Sequence, residues 1–240
     1  DPYKYFPASW PGIIFSESSS GNILNYASLE NATQSIVIKG DGTTANQLQM
    51  KGCIINNSYK EGLFAINASI NAENCLISDC GENNLKLEGG NYSFIHCTVA
   101  SYSNILVSHN SAVLHVSDQD DQLNQYTLNA SFVNSIFYGE GGLTENEVEI
   151  VKSNNSSVIS FENVLYKAAA VDGSLFTNSI SNIDPGFILL DFDNTNFDFH
   201  LSSSSPCVNA GKDAGITDDL DGNPRDASLN NPDIGCYELQ

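Results

Sequence analysis

A constant spacing of 22 residues is the feature that most constrains the fold of this chain. Cys53, Cys75 and Cys97 are separated by this step. Neighbouring apolar residues share the same period, in four columns: Leu48, Ile70, Tyr92 and Leu114; Met50, Ala72, Phe94 and Val116; Ile55, Ile77 and Val99; and Leu63, Leu85 and Val107. A fixed period of roughly 20–50 residues is typical of a solenoid, in which each repeat forms one turn and stacks on its neighbours.

Within each repeat, two short segments flank one residue that suits a bend. Alignment of the repeats places Gly52, Asn74, His96, Asn134 and Asn163 in one column. Apolar residues alternate with other residues on both sides of this column, which predicts two strands. Because Asn and Gly tolerate left-handed backbone angles, we expect a sharp turn at each of these positions. His96 is accordingly interpreted as a structural residue.

A third strand is predicted later in each repeat, at Leu63–Ala65, Leu85–Leu87 and Ile105–Val107. Three short strands per turn predict an all-β chain that forms a single-stranded right-handed parallel β-helix of about 22 residues per turn. Helical periodicity and a leucine-rich consensus are both missing, and a sandwich would not keep such regular columns. We predict turns over residues 1–183 and an irregular C-terminal cap over 184–240.

The predicted architecture resembles the right-handed parallel β-helix proteins of the pectin lyase-like superfamily. The bend column is similar to the asparagine ladder of that superfamily. The resemblance covers nearly the whole chain, but it concerns architecture and does not imply an activity.

The C-terminal segment resembles the end of secreted and surface β-helix proteins from Bacteroides-like bacteria. Five short motifs in a fixed order carry this resemblance: Asp184–Phe187, Phe197–Leu201, Ser205–Gly211, Asp219–Arg225 and Pro232–Glu238. It implies a cap that closes the solenoid, and an extracellular or outer-surface location. Arg225 is the only arginine in the sequence, and we expect it to pair with Asp233 or Asp221.

The beginning of the sequence predicts an exposed solenoid end. Residues 10–15 already have the pattern of a strand, and residues 1–9 are short for a cap. We therefore expect upstream turns, or a partner that covers this end. No signal peptide is recognisable at Asp1.

The charge balance limits the classes of partner. The sequence has 29 Asp and Glu against 9 Lys and Arg, a net charge of −20. This argues against nucleic acid and disfavours anionic polysaccharides and anionic lipid. The chain contains no apolar run of the length that spans a membrane. We expect a monomer.

Outward-facing polar residues of the solenoid are the candidate ligand-binding residues. Lys86 and Glu88 share one strand, and Glu147 and Glu149 share a later one; Asp120 and Asp121 lie in an insertion. A solvated strand face is the alternative interpretation. No catalytic residue is assigned, because no basic cluster or converging carboxylate set is recognisable. Neither C-x-x-C nor H-E-x-x-H occurs, which argues against zinc.

Two features of the tail suggest calcium and a disulfide. Asp219, Asp221 and Asn223 alternate like the first ligands of a calcium loop, although Gly222 is misplaced for one and a structural turn is the alternative. Calcium is the one cofactor that we consider. Cys207 and Cys236 are the disulfide candidate, whereas Cys53, Cys75 and Cys97 are expected in the core.

These observations favour a secreted or cell-surface protein, without catalytic activity, that binds glycan or mediates adhesion. One alternative is a polysaccharide lyase or glycoside hydrolase whose site is completed by residues outside this chain. Another alternative is a structural stalk. A polysaccharide, or a glycan on a cell surface, is the expected partner.

Overall fold

The computed structural model describes residues 6–104, 106–153, 156–225 and 231–240. These residues form an all-β solenoid of parallel strands, a parallel β-helix of about 6 turns. Three walls surround an apolar core, and each turn contributes one strand or half-strand to each wall. None of the described helices is long and apolar enough to cross a membrane.

The first and second walls belong to one eleven-stranded sheet. Two long strands, β7 (Leu63–Glu73) and β9 (Leu85–Ile95), run through both walls. The other strands of the first wall are β1 (Ile13–Phe15), β4 (Ile36–Lys39), β11 (Leu114–Ser117) and β14 (Val148–Val151). Those of the second wall are β2 (Asn22–Asn25), β5 (Leu48–Lys51), β12 (Leu128–Val133), β15 (Val158–Glu162) and β17 (Phe176–Thr177).

The third wall is a separate seven-stranded parallel sheet. Its strands are β3 (Ser28–Glu30), β6 (Ile54–Asn56), β8 (Leu76–Ser78), β10 (Thr98–Tyr102), β13 (Ile136–Glu140), β16 (Leu165–Tyr166) and β18 (Ile180–Ser181). A short 3₁₀ helix (Gly173–Leu175) precedes β17, and an antiparallel hairpin of β19 (Phe187–Asp191) and β20 (Asn196–Leu201) follows the solenoid.

The bend column lies at the corner between the second and third walls, as predicted. Gly52, Asn74, His96, Asn134 and Asn163 have φ between 50° and 60°. Tyr26 and Asn178 extend the column at its two ends with φ of 52° and 50°. Because every turn needs this left-handed residue, Asn or Gly fills five of the seven positions.

The predicted core columns hold for the early turns and fail after Cys97. Cys53, Cys75 and Cys97 are fully buried, which confirms their placement in the core. Leu114, however, pairs with Leu85 and not with Tyr92, and Val116 pairs with Leu87. Tyr92 faces Ala130 instead. The turn after Cys97 is longer than 22 residues, so counting by 22 across it assigns residues to the wrong wall.

The third strand predicted at Ile105–Val107 is therefore wrong. Val107 is buried in the loop that connects β10 with β11, and Ile105 lies outside the described residues. The extra length of this turn is divided between two corners. Residues 103–113 precede β11, and residues 118–127 follow it, so the two insertions flank the first wall.

The C-terminal segment packs against the outside of the third wall. Leu76, Ala100, Tyr102, Ile136 and Tyr138 face outward from that wall and are buried there. They join one apolar cluster with tail residues, namely Phe187, Phe199, Leu201, Cys207, Leu220, Ile234, Cys236 and Tyr237. We expected a cap that closes the end of the solenoid. The tail instead lies along the side of the solenoid, because it buries the outward-facing apolar side chains of the third wall away from water.

The bend column is also the docking site of the tail. Asn163 Nδ2 donates to Ala210 O at 3.0 Å, and Asn134 exchanges two hydrogen bonds with the Lys212 backbone, at 2.7 and 2.9 Å. Arg225 donates to Asn74 Oδ1 at 3.0 Å. Three asparagines of the corner thus meet different points of the tail.

Two predictions about the tail are wrong in detail. Arg225 pairs with Glu238 at 3.0 Å, because Asp221 accepts from His200 and the Asp233 carboxylate accepts two backbone N–H groups. Cys207 and Cys236 remain two free, buried thiols. Both pack as small apolar side chains in the cluster under the tail, so the expected disulfide is not formed.

We expect Asn134→Gly to destabilise the protein by about 2–4 kcal/mol. Glycine tolerates the left-handed angle, so the decrease in the free energy of unfolding reports the hydrogen bonds to Lys212 and to His96 Nε2 alone. Chemical denaturation would measure this decrease. The control is Asn178→Gly, at an exposed position of the same column, which we expect to cost less than about 1 kcal/mol. Equal losses in the two variants would contradict a docking role for the column.

Candidate ligand-binding cleft on the first wall

The outer surface of the first wall changes from apolar to charged along the solenoid axis. Alternate residues of each strand face outward. In register, the outward positions of successive turns are Ile14, Val37, Phe64, Lys86, His115 and Glu149. A second outward column contains Lys39, Ile66, Glu88, Ser117 and Val151. The two columns bring Phe64 and Ile66 next to Lys86 and Glu88.

The insertion that follows β11 forms a loop beside this wall. Asp120 holds the loop in shape: its carboxylate accepts from the backbone N–H groups of Gln122 and Asn124, from Asn124 Nδ2 and from the Tyr126 hydroxyl. The hydrogen bonds from Asn124, above all, lower the pKa of Asp120 to about 2. Asp120 is therefore a structural residue of the loop, with its oxygens already engaged.

Gly89 allows the end of the loop to approach the corner between the first and second walls. Its φ is +64°, and a Cβ atom there would lie 2.3 Å from the Cβ of Tyr126. Only glycine fits this position, because the space excludes a side chain and the left-handed angle disfavours most other residues. Tyr126 is thereby held over the edge of the first wall.

Lys86 is the centre of an ion-pair cluster. Its Nζ lies 3.0 Å from Glu88 Oε1 and 2.9 Å from Asp121 Oδ2, and 4.9 Å from the centroid of the Phe64 ring. Burial raises the pKa of Glu88, and the neighbouring ammonium group of Lys86 only partly offsets this. Burial lowers the pKa of Lys86, but its hydrogen bonds to Asp121 and Glu88 outweigh this and leave it raised. Both groups are therefore held as an ion pair that is largely withdrawn from water.

An open cleft of about 290 Å³ lies between the wall and the loop. It is lined by Lys39, Phe64, Ile66, Glu88, Asp120, Asp121, Gln122, Asn124 and Tyr126. The structure therefore brings together four of the six predicted ligand-binding residues: Lys86, Glu88, Asp120 and Asp121. Sequence analysis missed Phe64 and Tyr126, because only the register and the glycine corner place these rings beside the charged residues.

The other two predicted residues lie in different environments. Glu149 is exposed and accepts a hydrogen bond from His115 Nδ1 at 2.9 Å. Glu147 was expected to share its outward face, but it is fully buried. It pairs with His109 Nε2 at 2.9 Å and accepts from the Val113 backbone N–H. Because β14 begins only at Val148, the strand alternation does not extend to Glu147, which turns inward at the corner.

A second cleft, of about 440 Å³, lies next to Glu149. Its lining residues include no aromatic side chain. Two of the side-chain amides that line it form hydrogen bonds with the backbone of neighbouring loops. Asn83 Nδ2 donates to Ala112 O, and Asn146 Oδ1 accepts from the N–H groups of Ala169 and Ala170. We therefore assign it to loop structure, although it is larger than the cleft beside Phe64.

Asp219, Asp221 and Asn223 form a tight turn of the tail. Four N–H groups reach the two carboxylate oxygens of Asp219, from the backbone of Asp221, Asn223 and Glu238 and from the Asn223 side chain. Asp221 Oδ2 contacts His200 Nε2 at 2.9 Å. In the described part of the chain, no group of three or more His, Cys, Asp or Glu side chains is arranged to hold a metal ion. The contacts of these residues are those of a turn, and calcium binding there stays a prediction.

Comparisons with known proteins add one structural likeness. No protein-family model and no curated protein matches the chain. The crystal structure of pectate lyase Pel9A aligns with 98% of this chain and 85% of its own chain, at 15% identity and a TM-score of 0.31.

We expect Lys86→Met to destabilise the protein by about 2 kcal/mol at pH 8, because it leaves the buried Glu88 carboxylate without a cation. The loss should shrink at pH 5. A carboxyl group whose pKa is raised in the folded state takes up a proton there, so the stability lost at high pH returns as pH falls. Chemical denaturation at both pH values would measure the difference.

The double variant Lys86→Met/Glu88→Gln is expected to recover most of the stability at pH 8. Lys39→Met is the matched control, because its pair with Glu17 is exposed on both sides and should contribute less than about 0.5 kcal/mol. A loss in Lys86→Met that is identical at pH 5 and pH 8 would show that Glu88 is not the cause.

Proposed function

We propose that the protein binds an uncharged glycan on its first wall and does not cleave it. The observation that carries this proposal is the cleft in which the rings of Phe64 and Tyr126 lie beside carboxylate and amide groups. Aromatic surfaces combined with a few fixed polar groups are typical of small-molecule sites. Its volume is near the lower limit of such sites, about 300 Å³, and suits a short segment of a glycan chain.

The charges at the cleft favour a neutral ligand over an acidic one. The two lysines at the cleft already have carboxylate partners: Lys86 contacts Glu88 and Asp121, and Lys39 contacts Glu17 at 3.1 Å. The described lining residues thus provide no unpaired cation for a uronate carboxylate. The net charge of −20 also disfavours long anionic chains.

Glycoside hydrolysis is the second candidate function, and one observation favours it. Glu88 and Asp121 both lie within 3.0 Å of the same Lys86 nitrogen, and the pKa of Glu88 is raised, as a general acid requires. However, the ammonium group of Lys86 occupies the space between these carboxyl groups, where the scissile bond would have to lie. We therefore favour binding without turnover, and a lyase or hydrolase would need residues from outside this chain.

The proposed setting is extracellular or on the outer surface of a bacterial cell, with the chain acting as a monomer. The resemblance of the tail to secreted and surface β-helix proteins supports this setting. Adhesion to a glycan-bearing surface is one use that such a binding site could serve.

Titration calorimetry with neutral and uronate oligosaccharides tests the proposal. We expect a neutral oligosaccharide to bind, and Phe64→Ala to weaken its affinity about tenfold, because the largest apolar surface of the cleft is removed. Ser93→Ala is the control, since Ser93 lies on the second wall, away from the cleft. It should leave the affinity unchanged.

The same mixtures should be examined for new reducing or unsaturated ends. Turnover would overturn the proposal in favour of the enzymatic alternative. Binding of uronate but not neutral oligosaccharides, or equal loss in Phe64→Ala and Ser93→Ala, would also contradict it. An absence of binding to every glycan would support the structural stalk.

A further inference from the structure

A second set of left-handed residues follows the third wall. Asn31, Asn57 and Asp79 come directly after β3, β6 and β8, with φ of 61°, 56° and 52°. Asn57 Nδ2 donates to Asn31 Oδ1 at 2.6 Å. The third position carries a carboxylate where the first two carry amides. This corner follows the third wall, whereas the bend column precedes it.

Asp79 is a buried carboxylate with one oxygen in use. The residue is 3% exposed, and its Oδ1 accepts from the Tyr102 backbone N–H at 2.8 Å. Among the described residues, none donates a hydrogen bond to the other oxygen, Oδ2. A buried charge without a partner is costly, so a carboxylate in this state calls for a cation or a proton.

A cleft of about 210 Å³ opens beside Asp79. It is lined by Glu30, Asn31, Asn56, Asn57, Asp79, Asn104, Leu106, Thr195 and Phe197. Two carboxylates and four side-chain amides line it, and no basic residue belongs to the described lining. The amide oxygens of Asn31, Asn56 and Asn104 already accept hydrogen bonds. The cleft is therefore negatively charged, and its carboxylates are the ligands that a cation would use first.

We propose that this corner binds a hydrated calcium ion through the carboxylates of Asp79 and Glu30. Calcium takes 6–8 oxygen ligands in flexible geometry and accepts carboxylates, amide carbonyls and water together. The cleft is open to solvent, so water molecules can complete the coordination of the ion. Magnesium fits less well, because it demands a near-ideal octahedron and releases water reluctantly.

The ion would fasten three separate segments of the chain. The corner residues belong to the first turns, Asn104 and Leu106 to the insertion after β10, and Thr195 and Phe197 to the hairpin of β19 and β20. Phe197 also packs on Tyr102, with ring centroids 6.0 Å apart. Calcium would therefore stabilise the docking of the tail hairpin on the solenoid, independently of any glycan on the first wall.

Thermal melting after chelator treatment tests the site. Calcium at ten times its Kd should raise the Tm by about 3–6 °C, and magnesium at equal ionic strength should have less effect. Asp79→Asn is expected to fold, because Asn occupies the two equivalent corner positions. It should melt at the same or a higher temperature without calcium, and it should lose the calcium-dependent rise.

Asp221→Asn is the matched control, since it disables the calcium loop that the sequence suggests in the tail. We expect it to keep the full rise. The proposal is overturned if calcium leaves the wild-type Tm unchanged, if Asp79→Asn retains the rise, or if Asp221→Asn abolishes it. Calorimetric titration with calcium adds a direct affinity measurement, and an equal affinity in the wild type and in Asp79→Asn would also contradict a role for Asp79.

Discussion

The structure depends on one backbone constraint: each turn of the solenoid must pass through a left-handed residue between its second and third walls. Seven residues from Tyr26 to Asn178 satisfy it. A left-handed conformation costs roughly 1–2 kcal/mol for most residues and little for Gly or Asn. This cost explains why five of the seven corner residues are Asn or Gly. Because adjacent turns bend at the same point, their strands stay in register and the apolar columns remain continuous.

The asparagine side chains give the same corner a second role. The amide of Asn134 contacts the tail through the backbone of Lys212, and it also hydrogen-bonds to His96, its neighbour in the column. Asn74 and Asn163 make comparable contacts with Arg225 and Ala210. The tail can therefore cover the apolar outer face of the third wall in one defined position. The first wall remains accessible, and the charged and aromatic residues of the cleft lie there.

Sequence periodicity predicted the fold class and the bend column, because both follow from local rules repeated in every turn. It failed where the repeat length changes: Leu114 and Val116 were assigned to the wrong column because the preceding insertion has no fixed length. The ion pair of Lys86 with Asp121 joins a strand to a loop 35 residues later, and no pattern predicts that contact. The burial of Glu147 depends likewise on where β14 begins, which alternation alone does not define.

The contacts of the tail also limit how this protein can change in length. Repeat proteins commonly gain or lose whole turns, since each turn contacts only its neighbours. Here Arg225 reaches back to Asn74, Cys236 to Thr98, Lys212 to Asn134 and Ala210 to Asn163. A duplicated or deleted turn between Asn74 and Asn163 would move these docking points apart or together by about 4.8 Å, the spacing of adjacent strands. The contacts of the tail therefore fix the number of turns between Asn74 and Asn163. Whole turns can be added without disturbing these contacts only outside that interval, and extra residues within it are confined to loops.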